Sequence, residues 1–124
     1  MEAKATSKYV RMSPRKLRRV AVLIKGRDYM DARYILSYTP KAASRALMET
    51  MKSAAANAIS REGSAKMKVE NFYVKDIQID GGPILKRIRP VGMGRAYRIR
   101  KRTAHIKIVL AEKSSASKIL AKED

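Results

Sequence analysis

The sequence predicts an α+β domain, with helices in the first half of the chain and strands in the second. Between Pro14 and Arg61, apolar residues recur at helical spacing, and the runs are punctuated by cap, proline and glycine signals. From Lys68 onward the spacing changes to the two-residue alternation of strands. Between the alternating arms stand Gly81-Gly82-Pro83 and Pro90-Val91-Gly92-Met93-Gly94, which are turn signals.

Residues 1–12 read as a short strand, because Ala5-Thr6-Ser7-Lys8-Tyr9-Val10-Arg11 alternates loosely and contains β-formers. Ser13-Pro14 then has the form of an N-cap followed by proline at the first helical position. Leu17, Val20, Ala21 and Ile24 follow at helical spacing, and Gly26 is the expected stop. Arg15, Lys16, Arg18 and Arg19 crowd the first turns of that helix, where the helix dipole favours acids. A partner anion would relieve the conflict, and so, at small cost, would solvation of the four side chains.

A second, short helix is expected from Asp28 to about Ser37, with Asp28 as its cap and Ala32, Ile35 and Leu36 buried. Thr39-Pro40 repeats the cap-plus-proline signal and predicts a long helix to about Arg61, stopped by Gly63. Its stripe is Ala43, Ala46, Leu47, Met51, Ala54, Ala58 and Ile59. Such a helix is roughly 33 Å long, and its alanines allow close approach by a neighbour. The stripe reads as core, with no cofactor role.

In the second half, Phe72 and Val74 lie on one strand parity and Ile77 and Ile79 on the other. Tyr97 and Ile99 lie on one parity, and Ile106, Ile108 and Leu110 on the other. A parity switch in each arm predicts a bulge or strong twist in each, since strand faces alternate with period two. Paired antiparallel, the arms turn near Val91–Met93, and Arg95–Arg98 run back along Lys86–Arg89. Arms of about ten residues would reach ~34 Å. A disordered basic loop is the alternative, but the alternation of Tyr97 and Ile99 and the glycine and proline signals favour a hairpin. Residues 1–112 thus read as one domain with a hairpin at about 80–104, and residues 113–124 as a flexible polar tail.

Charge gives the strongest functional signal. From Gly81 to Ala111 there is no Asp or Glu, yet the stretch holds Lys86, Arg87, Arg89, Arg95, Arg98, Arg100, Lys101, Arg102 and Lys107. The whole chain of 124 residues carries a formal net charge of +18. One-signed charge repels itself and destabilises a compact state, so it calls for outside anions, of which nucleic-acid phosphate is the densest source. The distal hairpin has little to bury, and an isolated two-stranded hairpin is marginal in water. It is expected to protrude and to be held mainly by its partner.

Other classes fit poorly. No apolar run approaches the ~20 residues of a membrane helix, and the N-terminus lacks an apolar signal core. With no Cys, disulfides and Cys-ligated zinc are excluded, and a cytosolic location is expected. His105 is the only His and stands beside Ile106, which suits a structural or RNA-facing residue better than a general base. Asp76 and Asp80 share a strand face without an acid–base partner, and Gly92-Met93-Gly94 lacks the strand–glycine–helix setting of a phosphate loop. No enzyme activity, metal or cofactor is expected. Aromatics are scarce, with six Tyr, one Phe and no Trp, which argues for recognition of folded RNA by shape and phosphate position. A basic DNA-binding or nucleoid-type module is the runner-up, and a peripheral membrane protein the third reading.

At the hairpin the sequence resembles the bacterial-type large-subunit ribosomal protein twenty-two family. The matching residues are Gly82-Pro83, Lys86-Arg87, Pro90, Gly94-Arg95-Ala96, Ile99, Lys101-Arg102-Thr103 and His105-Ile106. Ser13-Pro14-Arg15-Lys16, Ser53-Ala54 and Ala56-Asn57-Ala58 match the helical part, and the resemblance covers about residues 4 to 112. It implies three helices packed on a small three-stranded antiparallel sheet, with a long protruding hairpin. It further implies a structural constituent of the large (50S) subunit in the cytoplasmic ribosome, which binds 23S ribosomal RNA and supports subunit assembly. The hairpin would line the nascent-peptide exit tunnel beside neighbouring ribosomal proteins and touch the nascent peptide transiently. The implied RNA contacts are the cations of the hairpin, Lys86, Arg87, Arg89, Arg95, Arg98, Lys101 and Arg102. Taken with the remaining basic clusters, the candidates extend to Arg100, Lys107, Lys8, Arg11, Arg15, Lys16, Arg18 and Arg19. Pro90, Val91, Gly92 and Met93 would form the tunnel tip. Many bacterial members carry an arginine directly after that proline and a lysine directly before the glycine–arginine–alanine run. Val91 and Met93 stand there instead.

Overall fold

The apolar residues with helical spacing and those with strand spacing meet across one interface. The structure is a computed structural model and describes residues 2–62 and 69–113. In chain order these form β1 (Glu2–Val10), α1 (Pro14–Ile24), α2 (Tyr29–Tyr38), α3 (Ala42–Glu62), a 3-10 turn (Val69–Asn71), β2 (Phe72–Gly81), β3 (Leu85–Val91), β4 (Arg95–Lys101) and β5 (Ala104–Glu112). β1, β5 and β2 make a three-stranded antiparallel sheet with β5 in the centre, and β3 and β4 make a separate two-stranded one.

β5 shows why the sheet has one wet and one dry face. Ala104, Ile106, Ile108 and Leu110 are 0 % exposed, while His105, Lys107 and Val109 between them are half-buried. The helices cover the dry face. Leu17, Val20, Ala21 and Ile24 of α1 are all buried, as their spacing predicts. Leu36 of α2 and Leu47 and Met51 of α3 complete the core with Phe72 and Val74. Burying side chains of this size contributes roughly 1.5–3 kcal/mol each. α3 packs against β1 as well as β5, and both surfaces are small: Ala54, Ala55 and Ala58 on the helix, Ala3 and Ala5 on the strand. Of the buried polar residues Ser44, Thr50 and Thr103, Thr50 lies between α3 and β1 and is satisfied. The Thr50 hydroxyl donates to the Ala46 carbonyl at 2.9 Å and so accepts from the Ser7 hydroxyl at 2.7 Å.

Several boundaries differ from the sequence reading. Ser13 and Asp28 occupy the N-cap positions, but neither side chain makes a cap hydrogen bond. Asp28 instead pairs with Lys113 at 2.9 Å. Thr39-Pro40 does not open α3. The Thr39 hydroxyl donates back to the Ile35 carbonyl at 2.6 Å and closes α2, and α3 begins at Ala42, with Ser44 donating to the Lys41 carbonyl at 2.6 Å. Gly26 does stop α1: it has φ 79, and its amide donates to the Val74 carbonyl at 2.9 Å. Gly63 lies outside the described residues.

The parity switch in β2 is a bulge between Val74 and Asp76. The later switch is not. β4 ends at Lys101 and β5 begins at Ala104, so Tyr97 and Ile106 belong to different sheets and owe each other no parity. β1 carries a further irregularity between Ser7 and Val10, with Tyr9 at φ 60.

The hairpin is shorter than the sequence suggests. Each arm has 7 residues, about 24 Å, because the chain between Gly82 and Ile84 and at Arg102-Thr103 serves as its root. The turn is centred on Met93, with Val91 opposite Arg95, so Lys86–Arg89 face Tyr97–Arg100 instead of Arg95–Arg98. Met93 and Gly94 adopt φ 63 and φ 70. At the root, the Gly82 amide donates to the Thr103 carbonyl at 2.9 Å, and the buried Thr103 hydroxyl donates to the Pro83 carbonyl at 2.6 Å. A Cβ on Gly82 would stand 2.6 Å from the Thr103 hydroxyl oxygen, so this close approach requires glycine. Among the described residues, the hairpin arms pack extensively only on each other. Of the tail, only Lys113 is described, and its amide donates to the Asn71 carbonyl at 2.8 Å. Residues 114–124 lie outside the described residues.

An arm without a core should differ from the domain in both exchange and stability. In the free protein, amide exchange of α1 and β5 should be slow on the scale of minutes to hours while residues 86–98 exchange freely. Strong protection throughout 86–98 would show that the hairpin is held without a partner. Truncation should distinguish the two sheets as well. In urea denaturation Ile108→Ala should cost about 2–5 kcal/mol, and Ile88→Ala, the same deletion on the exposed ribbon, less than about 0.5 kcal/mol.

Candidate nucleic-acid interface

A two-stranded ribbon has two faces and no interior, so every side chain on it meets solvent or a partner. Register assigns the faces. On one, Arg87 lies opposite Ile99, Arg89 opposite Tyr97, Arg95 opposite Val91 and Lys101 opposite Leu85. Every pair on that face joins one cation to one apolar residue. Leu85, Val91 and Ile99 are half-buried there, beside cationic stems long enough to cover them. On the other face Lys86 lies opposite Arg100, Ile88 opposite Arg98 and Pro90 opposite Ala96. The charged residues of both arms are exposed.

The acids are elsewhere. Ion pairs join Lys25 to Asp76, Arg45 to Glu49, Lys75 to Glu2 and Lys113 to Asp28. Among the described residues, none of the candidate binding cations is in an ion pair with an acid. In the hairpin, Arg87 donates to the Lys86 carbonyl at 2.9 Å, which leaves its charge uncompensated. The result is a ribbon of one sign, whose field attracts polyanions and is weakened by salt.

The remaining candidates divide by position. Arg11 and Lys16 face Arg100, Lys101 and Arg102 across a cleft at the hairpin root. Lys8 and Arg15 are exposed near that end of β1 and α1. Arg19 lines a neighbouring groove with Lys16 and Lys41. Arg18 is partly committed to the fold, since it donates to the Ile79 carbonyl on the edge of β2 at 2.7 Å. Lys107 sits on the wet face of the sheet, in register with Thr6 and Gln78, away from the hairpin. Pro90 to Met93 form the tip, where the Met93 side chain is 100 % exposed. His105 is structural: its Nδ1 accepts the Tyr9 amide at 3.1 Å, and the two rings meet edge to face at 5.0 Å.

The roles of two residues escaped the sequence reading. Lys41 joins the α1 cations only because α3 starts late, and the cap signal at Thr39-Pro40 hid it. Thr103 is the latch of the hairpin root, and a threonine after two exposed cations carries no local sign of burial.

Comparison with known proteins places the chain in a family. The family model for ribosomal protein L22p/L17e matches residues 5–111. The protein named large ribosomal subunit protein uL22 of Desulfitobacterium hafniense (strain Y51) is 49 % identical over 112 residues, covering 90 % of this chain and 96 % of that one. The protein of the same name from Syntrophobacter fumaroxidans is 50 % identical over 113 residues, covering 91 % of this chain and 100 % of its own. That of Geobacter sulfurreducens is 45 % identical over 113 residues, covering 91 % and 99 %. With the family match spanning the helices, both sheets and the hairpin, the chain belongs to the ribosomal protein L22p/L17e family.

Proposed function

We infer that the chain is a structural, non-enzymatic constituent of the large ribosomal subunit in the cytoplasm, binding ribosomal RNA and neighbouring ribosomal proteins. The observation that carries this reading is the hairpin: a ribbon of exposed cations, unpaired with acids and without a core of its own. Family membership supports the same reading. In finer terms, the RNA is 23S ribosomal RNA, and Lys86, Arg87, Arg89, Arg95, Arg98, Arg100, Lys101 and Arg102 contact its phosphates. Lys8, Arg11, Arg15, Lys16, Arg19 and Lys107, with the free part of the Arg18 guanidinium, extend the interface over the domain. Residues 1–112 act as one domain that is anchored while the hairpin reaches inward. The tip lines the exit tunnel beside other proteins and meets the nascent peptide in passing.

Salt dependence tests the central claim. Replacing Arg95, Arg98 and Arg102 together by Ala should weaken binding to 23S RNA. For every phosphate that is no longer neutralised, the slope of log K against log salt should flatten by roughly 0.7–0.9. The melting temperature should hold, because all three side chains are exposed. An unchanged slope would remove the hairpin from the interface.

The tip separates shape from affinity. Val91, Gly92 and Met93 bring no charge, so the tip should act by occupying space. Deleting Gly92–Gly94 makes the ribbon close lower down and should change the passage of bulky tunnel-binding molecules while barely altering RNA affinity. Binding of such a molecule to mutant and wild-type ribosomes, beside an RNA titration of each protein, decides. A large loss of RNA affinity with unaltered tunnel binding would make the tip an RNA anchor.

A further inference from the structure

The cleft at the hairpin root gathers cations from two parts of the chain. It is an open cleft of roughly 570 Å³, with Arg11, Ser13 and Lys16 on the domain side and Arg100, Lys101 and Arg102 on the hairpin side. None of its lining residues is acidic. The volume falls within the ~300–1,000 Å³ of small-ligand sites. The walls belong to separate parts of the fold, since the residues on one follow β1 and open α1 and those on the other end and follow β4.

We propose that this cleft binds a backbone phosphate of RNA between the domain and the hairpin, and that the bound phosphate fixes the direction in which the hairpin points. The proposal rests on the RNA-binding reading above and adds a discrete site to it. Without an anion the two cationic walls repel each other. The hairpin is then restrained by the hydrogen bonds of Gly82 with Thr103 and of Thr103 with Pro83, both close to the sheet. Beyond them, among the described residues, the ribbon makes no extensive contact with another element. A phosphodiester accepts charge-assisted hydrogen bonds from both walls at once and turns repulsion into a clamp. The Ser13 hydroxyl, which makes no cap bond, supplies a further donor on the domain side.

The chain has no Cys, so two labels can be placed without competition. Lys52→Cys on α3 and Met93→Cys at the tip are both exposed. Spin-label distances between them should be broadly distributed in the free chain and collapse to one narrow peak on 23S RNA. In the same background Arg11→Ala with Lys16→Ala leaves every hairpin cation in place. That variant should bind the RNA roughly tenfold more weakly and keep a broad distribution. The same narrow peak in the variant would overturn the proposal. Inorganic pyrophosphate gives a second measurement that does not depend on ribosomal identity. Amide shifts of Ser13, Lys16 and Arg102 should saturate together, with a Kd at least roughly tenfold lower than in the double variant. Equal affinity in both chains, or even shifts over all surface cations, would also overturn it. Pyrophosphate binding at the cleft with no RNA binding by the wild type would instead overturn the RNA reading and leave the anion site standing.

Discussion

Cations on a two-stranded ribbon can be neither buried nor neutralised inside the ribbon. Lys86 stands opposite Arg100, and like charges directly opposed across strands destabilise the pairing. A domain that carries such a ribbon must fold without its help. The core therefore lies wholly in the three-stranded sheet and the helices, with β5 paired on both sides and its inward residues fully buried. The hairpin joins that sheet through a small, specific root. Gly82 leaves room for the Thr103 hydroxyl, and that hydroxyl secures the Pro83 carbonyl.

The same constraint orders the acids. Asp76, Asp28 and Glu2 each neutralise a lysine on β2, at the end of α1 or at the end of β5. Lys75 and Glu2 clip the two edge strands together across β5. The hydrogen bond from Lys75 holds the Glu2 carboxyl below its ordinary value and raises the Lys75 ammonium above its own. The Glu2 contribution is present above the unfolded carboxylate range and fades as pH falls through the lowered value. The Lys75 contribution is present below the ordinary lysine value and fades as pH rises through the raised one. The clip therefore operates across neutral pH, though its exposure to solvent keeps it weak. Among the described residues, no acid is positioned to do the same for the hairpin, so its field stays one-signed.

Local patterns showed through the sequence wherever one local interaction decides the structure. The α1 stripe from Leu17 to Ile24, the stop at Gly26 and the β2 bulge after Val74 all follow from spacing and backbone freedom. The failures share a different cause. Thr39 can cap the helix that follows or bond back to Ile35, and in the fold, where α2 packs against α3, it does the second. Tyr97 and Ile106 look like one strand with a changed parity because sequence does not show that the chain passes from one sheet to another at Arg102-Thr103. The cations of the candidate site were legible one by one. Their gathering at the root was not, since it brings residues 11–16 against residues 100–102 through long-range pairing of β1 with β5.

Charge and shape are segregated along the hairpin. The arms carry the cations, and the turn carries Gly92, Met93 and Gly94. Effects of well-separated sites add with little coupling, so the tip can change its bulk without disturbing the cations of the arms. An uncharged tip at Val91 to Met93 is therefore compatible with the same cations on the arms. In the proposed role, the domain and arms hold position on RNA while the tip sets how much space remains beside it. Such a lever needs a stiff root more than a stiff tip, because a small rotation at Gly82 and Thr103 is magnified over the length of the ribbon. The buried threonine, the glycine that accommodates it and the cationic cleft beside them lie where that rotation would occur.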